Sequence, residues 1–386
     1  MSFMNSVAVV GVGETDYSTE SGRSELVLSL QAITAALEDA GIRHDEVDGL
    51  LRWSVDTSSE ATVAANLGLS NLSWFGEINQ AGNVGAALVA NAAAAIHAGL
   101  CEVALILYGS TAASNSMAIG TGGSGGSRNP DTAFSSPYGM TTVGSYAMYA
   151  NLHMNTYGTT SEQLAEIAVT MRRHASLNPH AKMRSPISTE DVLGSRMISR
   201  PLHLLDCCII SDGGGAIVLT SAERARDLPK PPVRILGCGE AVQHQGVGRS
   251  DLLTIAAKQS GQNAFNMAQV QRSDIDFAMI YDSFTITVLA TLENLGFCEP
   301  GEGGNFVSQG GISLDGKLPV NPDGGGLSSN HPGMRGIFLV IEAVKQLRQE
   351  CGERQVSNPE IALAHGTGGT IGDKHSGATL ILGVDK

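Results

Sequence analysis

Three side chains in this sequence have the type and setting that proton transfer requires. Tyr281 ends the apolar run Ala278-Met279-Ile280 and is followed by Asp282. His331 lies in Asn330-His331-Pro332-Gly333, behind Gly324-Gly325-Gly326, and His365 ends an apolar run and opens Gly366-Thr367-Gly368-Gly369. Imidazoles exchange protons near neutrality. A phenol ordinarily titrates near pH ~10, so as a base it needs a neighbouring donor, charge or helix terminus. A tyrosine ending an apolar run also reads as core; the glycine-rich settings of the two histidines argue for function. Asp282 reads as a loop-anchoring carboxylate. His153, His174 and His180 carry a weaker signal, and His375, between Gly372 and Gly377, is the next candidate.

A second kind of chemistry is suggested by Arg172, Arg173 and His174, with Lys182 and Arg184 close behind. This is either a solvated helix face or a patch for the phosphates of a nucleotide-bearing substrate. The six cysteines, Cys101, Cys207, Cys208, Cys238, Cys298 and Cys351, show no CxxC and no ligand spacing. They read as reduced thiols in a cytosol, with no metal site.

The elements that must position these groups occur twice. Val9-Val10-Gly11-Val12-Gly13-Glu14 returns as Ile235-Leu236-Gly237-Cys238-Gly239-Glu240, each read as a buried strand running into a tight turn. Ile42 to Asp48 returns as Val270 to Asp276, and Gly82-Asn83-Val84-Gly85-Ala86 as Gly333-Met334-Arg335-Gly336-Ile337, each opening a helix. Glu102 to Leu105 returns as Glu360 to Leu363, and Gly215 to Leu219 as Gly377 to Ile381. The spacing of the last two pairs places a large insertion in the first half, from about 110 to 206. Its Gly120 to Ser127 stretch lacks a phosphate-loop ending and reads as a flexible flap. Ala86 to Ala95 suits a central helix packed on all sides. The expected architecture is α/β, with two mainly parallel sheets and helices between and outside them.

A chain of 386 residues accommodates two such halves, 1–230 and 231–386. The formal charge of −14 argues against a nucleic-acid partner. No uncharged stretch is long enough to cross a bilayer, and the N-terminus does not read as a signal peptide.

With this frame in place, the sequence resembles the thiolase superfamily over essentially its whole length. Asn330-His331-Pro332-Gly333-Met334-Arg335-Gly336 is similar to the thiolase GHPxGxxG loop, Tyr281-Asp282-Ser283-Phe284 stands at the NEAF/HDxF motif, and His365-Gly366-Thr367-Gly368-Gly369 at the CxG site. Pro201 to Cys208, Ser211 to Ala216 and Asn178-Pro179-His180-Ala181 resemble the sterol-carrier-protein branch. The resemblance implies a thiolase fold of two βαβαβαββ halves in a five-layered αβαβα sandwich, with the insertion as a loop domain. It also implies that Gly82 stands where a thiolase carries its nucleophilic cysteine, and His365 where it carries its second cysteine.

Without sulfur at position 82, the groups left are Tyr281, His331, His365 and the amides of two helix N-termini. The resemblance then points to the cysteine-less steroid side-chain aldolases, which Gly22 to Leu26, Leu204 to Cys208, Leu295 to Cys298 and Gly316 to Asn321 also resemble. It implies retro-aldol cleavage of a β-hydroxyacyl-CoA to a ketone or aldehyde and a shorter acyl-CoA. Tyr281 or His365 would move the proton, and His331 with the Gly82 region would hold the enolate oxygen. Asn330, near where those aldolases place a second tyrosine, is part of that pocket. No permanently bound cofactor is expected, with the coenzyme A thioester as substrate. The resemblance further implies a homodimer and a small OB-fold, zinc-ribbon partner completing a heterotetramer. The competing readings are a cysteine-independent acyltransferase or decarboxylative condensing enzyme, and a non-catalytic acyl-CoA-binding subunit.

Overall fold

The computed structural model describes residues 5–115, 141–243, 251–372 and 374–384. The Gly120 to Ser127 loop lies outside them. The first half runs β1 (Val7–Glu14), α1 (Glu25–Ala40), β2 (Gly49–Trp53), α2 (Glu60–Leu67), β3 (Trp74–Ile78), α3 (Val84–His97) and β4 (Val103–Ser110). An excursion follows, with α4 (Thr142–Tyr157), α5 (Ser161–Ser176), α6 (Thr189–Gly194), β5 (Met197–Ser199) and β6 (Leu202–His203). The chain then returns as β7 (Gly213–Ser221) and α7 (Ala222–Ala225). The second half runs β8 (Val233–Gln243), α8 (Ala256–Ala268), β9 (Phe277–Ile280), α9 (Thr285–Leu295), α10 (Gly303–Ser308), α11 (Gly336–Leu347), β10 (Ile361–Gly369) and β11 (His375–Gly383).

The layers follow from where the apolar side chains go. Along β4, Ala104, Ile106 and Tyr108 turn inward to a cluster shared with α3 and α11, while Val103, Leu105 and Leu107 turn outward to α1. In the second half Ala362 and Ala364 face the same inner cluster, and Leu363 faces the outer one with α8 and α9. Strands buried on both faces need continuous apolar runs. The result is helices, sheet, two central helices, sheet, helices.

Three details depart from expectation. The sheets are mixed, with parallel pairing at β2–β3, β2–β4 and β9–β10 and antiparallel pairing at the others described. The last two strands of each half lie antiparallel, β4 on β7 and β10 on β11. Also, β1 and β8 pair over Ala8–Arg234 and Val9–Val233, so both halves join in one nine-stranded sheet of order β3-β2-β4-β7-β1-β8-β11-β10-β9. Finally, the GxGE repeats are not turns. β1 and β8 run straight through them, and their glycines let a helix lie against the strand. A Cβ on Gly11 would meet the Ala36 carbonyl, and one on Gly237 the Ala264 carbonyl.

The repeat has a physical basis at its other conserved points. His44–Glu46 and Arg272–Asp274 each form a short 3-10 turn, and the following aspartates do the same work. Asp48 accepts the backbone amides of Glu102 and Val103, and Asp276 those of Glu360 and Ile361. The halves are not identical copies, because the counterpart of β3 in the second half is a single bridge between Ala278 and Val320.

Candidate active site

The amino ends of the two central helices meet with almost no side chain between them. A Cβ on Gly85 would collide with the Gly336 backbone. This close approach carries the chain before α11, including His331, towards the chain before α3, including Gly82. A cavity of about 350 Å³ opens there. Its polar groups include Tyr281, His331, Ser283 and Thr367, and its apolar wall is built from Val143, Tyr146, Phe284, Ile198, Leu204 and Ile210.

Tyr281 leaves the end of β9, and its hydroxyl lies 2.8 Å from Nε2 of His331. The rings meet edge to face, with centroids 5.7 Å apart. Burial, with a smaller contribution from Cys208, raises the Tyr281 hydroxyl well above its ordinary value, so the resting phenol is protonated. The backbone N–H of Arg335 acts in the opposite sense on that oxygen. Burial, assisted by the Arg335 charge, lowers His331 to about 4, so its ring is neutral at pH 7. Its Nδ1 is buried and has no hydrogen-bond partner. A buried N–H without a partner is rarer than a buried acceptor without one, which favours the tautomer with the proton on Nε2, donating to Tyr281.

Gly82 faces this pair from the amino end of α3, which has no side-chain cap. A Cβ built on Gly82 would come within 2.9 Å of Cε2 and Cζ of Tyr281 and would collide with the Thr367 carbonyl. The tyrosine ring therefore fills the space a side chain at position 82 would need. Cys207 and Cys208 line the same cavity, but burial pushes the Cys207 thiol up to about 12 and Cys208 higher still. Neither is poised as a thiolate.

The structure does not bring His365 to this cavity wall. Its backbone is close, since its carbonyl accepts the Tyr281 N–H at 3.0 Å. Strand alternation turns its ring towards α8, where Nδ1 lies 2.8 Å from the Thr379 hydroxyl and Nε2 has no partner. Burial first, and His375 second, lower His365 to about 3. His375 accepts the Ala256 amide at 3.2 Å. Further along β10, Thr367 and Gly369 reach the cavity.

Asn330 is also off the wall. Its Nδ2 lies 3.4 Å from Ser329 Oγ, and its Oδ1 is buried without a partner. Asp282 anchors a loop, accepting the amides of Gly326 at 2.7 Å and Leu327 at 3.1 Å. Arg172 is withdrawn from phosphate binding by burial, its guanidinium donating to Ser328 Oγ and the Ser185 carbonyl. Arg173 and Arg184 are exposed and Lys182 is half-buried, and none of the three lines this cavity. Arg184 borders a separate cleft with His180, Lys345 and Arg354. Sequence reasoning missed Tyr146, whose ring lies 4.5 Å from that of Phe284, because nothing local marks which face of α4 meets the second half.

Residues 239–384 match the thiolase C-terminal domain-like family. The chain is 38% identical to a steroid side-chain-cleaving aldolase of Thermomonospora curvata, over 98% of each chain. This chain belongs to the thiolase superfamily. It is also 36% identical to a 17-hydroxy-3-oxo-4-pregnene-20-carboxyl-CoA lyase of Mycobacterium tuberculosis, over 94% of this chain and 96% of that one. Among solved structures, an Ltp2-ChsH2(DUF35) aldolase superposes with a TM-score of 0.90 at 38% identity, covering 100% of this chain and 99% of that chain. The thiolase fold expected from the motifs is thereby established. Among the described residues no helix is long and apolar enough to cross a membrane.

Proposed function

We propose that this protein is an acyl-CoA carbon–carbon lyase that cleaves a β-hydroxyacyl-CoA by a retro-aldol step. The observation that carries this reading is the exchange at position 82: the ring of Tyr281 stands in the space a nucleophile's side chain would need. The site keeps the amide end of a helix for a developing enolate and has no group there to form an acyl-enzyme. The two relatives whose names denote an aldolase and an acyl-CoA lyase support the same chemistry.

The β-hydroxyl gives its proton to the Tyr281–His331 pair, and the Cα–Cβ bond breaks. The electron pair moves into the thioester, whose oxygen draws on the amino end of α3. The enolate is then protonated at Cα. One proton is taken and one returned, so the pair ends as it began. Tyr281 is protonated at rest, so it takes the β-hydroxyl proton as it passes its own to Cα; the His331 N–H and the Arg335 amide steady the oxygen during that relay.

The substrate is a bulky apolar acyl-CoA of the steroid side-chain type, in keeping with the cavity's apolar wall and the relatives' names. Ile198, Leu204 and Ile210 line the cavity yet remain 37%, 46% and 37% exposed. A small OB-fold, zinc-ribbon protein, such as the DUF35 component named with the solved aldolase, would cover them. Homodimerisation would use the edge strand β3, where Phe75 is exposed. Six free cysteines fit a reducing, cytosolic setting.

The decisive experiment incubates the protein with β-hydroxyacyl-CoA esters, with and without a DUF35-type partner, and identifies products by mass. A carbonyl compound together with an intact, shorter thioester is expected. Release of free coenzyme A, or a stable acyl group on the protein, would overturn the proposal in favour of acyl transfer.

A further inference from the structure

The largest fully buried side chain among the described residues is not apolar; it is Arg335. Its guanidinium donates to Asp323 at 2.5 Å and to the Asn330 carbonyl at 3.3 Å, and its Nε lies 3.5 Å from Asp282. Each of these partners is a handle on the candidate site. Asp282 is bonded to Tyr281 along the chain, and Asn330 to His331. Asp323 accepts the Gly325 amide at 3.1 Å and so holds the start of the turn that Asp282 holds further along. Arg335 itself immediately precedes α11, and its backbone N–H acts on the Tyr281 oxygen. A single side chain thus connects the three loops whose relative placement sets the hydroxyl–imidazole contact.

A buried guanidinium is costly, and it is not needed here merely to neutralise one carboxylate. Asp282 and Asp323 together outnumber it, and burial, opposed by Arg335 and by the Gly326 and Leu327 amides, raises Asp282 to about 6. The charge does something more specific: it is the charged side chain whose field reaches His331 and disfavours the imidazolium. The other titratable groups acting on Tyr281 are neutral at pH 7, namely the Cys208 thiol and the Tyr146 and Tyr108 phenols.

Resting on the retro-aldol reading, we propose that Arg335 is a positioning residue for the Tyr281–His331 pair. It fixes the contact through Asp282, Asp323 and Asn330. Arg335 does not touch substrate. It acts only through the two residues that do.

Replacing Arg335 alone leaves Asp323 unpaired in the interior, so the test uses Arg335→Met with Asp323→Asn, which keeps the net charge, alongside Arg335→Lys. Two quantities are read on the full chain, the pH profile of kcat and the titration of the His331 ring by NMR. The double variant is expected to lose about 100-fold in kcat with little change in KM. Its His331 titration should move up by about one pH unit, carrying the acidic limb of the profile with it. Arg335→Lys should keep the low titration and recover part of kcat. A folded double variant with unchanged His331 titration and unchanged kcat overturns the assignment. The NMR arm needs no substrate. A shifted His331 titration in a protein that cleaves no β-hydroxyacyl-CoA would therefore uphold Arg335 while defeating the lyase reading.

Discussion

The amino end of α3 and the amino end of α11 are related positions in the two halves, and they are furnished in opposite ways. Before α3 the chain runs Ala81-Gly82-Asn83 and offers the cavity little beyond backbone. Before α11 it runs from Asn330 to Arg335 and supplies an imidazole and a buried guanidinium. The difference teaches why the tyrosine can be where it is. The helix ends approach because Gly85 and Gly336 are both bare at the contact, and Gly82 leaves the space that Tyr281 occupies. In the lyase reading the second half carries the side-chain chemistry, while the first offers a helix dipole and amides.

The comparison breaks most visibly at Tyr281. Tyr281→Phe keeps the ring but removes the proton carrier, and kcat for cleavage should fall about 1000-fold with the fold intact. Activity within a few-fold of wild type, measured by release of the carbonyl product, would remove the tyrosine from the mechanism. Next comes Gly82→Cys, which restores the sulfur of a thiolase to a space already filled. It should cost about 1–3 kcal/mol of stability from overpacking and about 100-fold in cleavage. No acyl adduct should appear in the intact mass, and a covalent adduct at this cysteine would show that bareness at α3 is incidental.

His331→Gln keeps an N–H donor near the tyrosine oxygen and should lose only about tenfold in kcat. A loss as large as that of Tyr281→Phe would mean that His331 moves a proton itself. The smallest effect on activity is expected at His365, with kcat for His365→Gln within about fivefold of wild type. Its effect lies in stability. The folded value is about 3 against an ordinary 6.5, so the unfolded chain binds the extra proton first as pH falls. The native ring contributes fully above 6.5 and loses that contribution on the way down towards 3. Between pH 7 and pH 5 the wild type should therefore lose roughly 2 kcal/mol more than His365→Gln, read from urea midpoints at the two pH values.

The two histidines show what the sequence could and could not say. Each stands in a glycine-rich motif, and the motifs alone treat them as equals. Position along the strand separates them: on β10 the cavity begins only at Thr367, two residues beyond His365. Likewise Arg172 and Arg184 belong to one basic cluster in sequence, yet one is locked against Ser328 and the other is exposed. The GxGE pairs were legible as a repeat but not as helix-packing surfaces, because a turn and a close helix approach both call for glycine.

By itself the sequence determined that the chain is a doubled α/β frame with a long excursion in its first half, that it resembles thiolases, and that position 82 carries no sulfur. Those properties are local: apolar runs, repeated segments and single residue types. Only the tertiary structure decided that the ring of Tyr281 fills the empty position, that His331 rather than His365 meets it, and that Arg335 holds both loops. The first two contacts join residues 199 and 50 positions apart, and Arg335 reaches Asp282 across 53, separations of which sequence spacing carries no record.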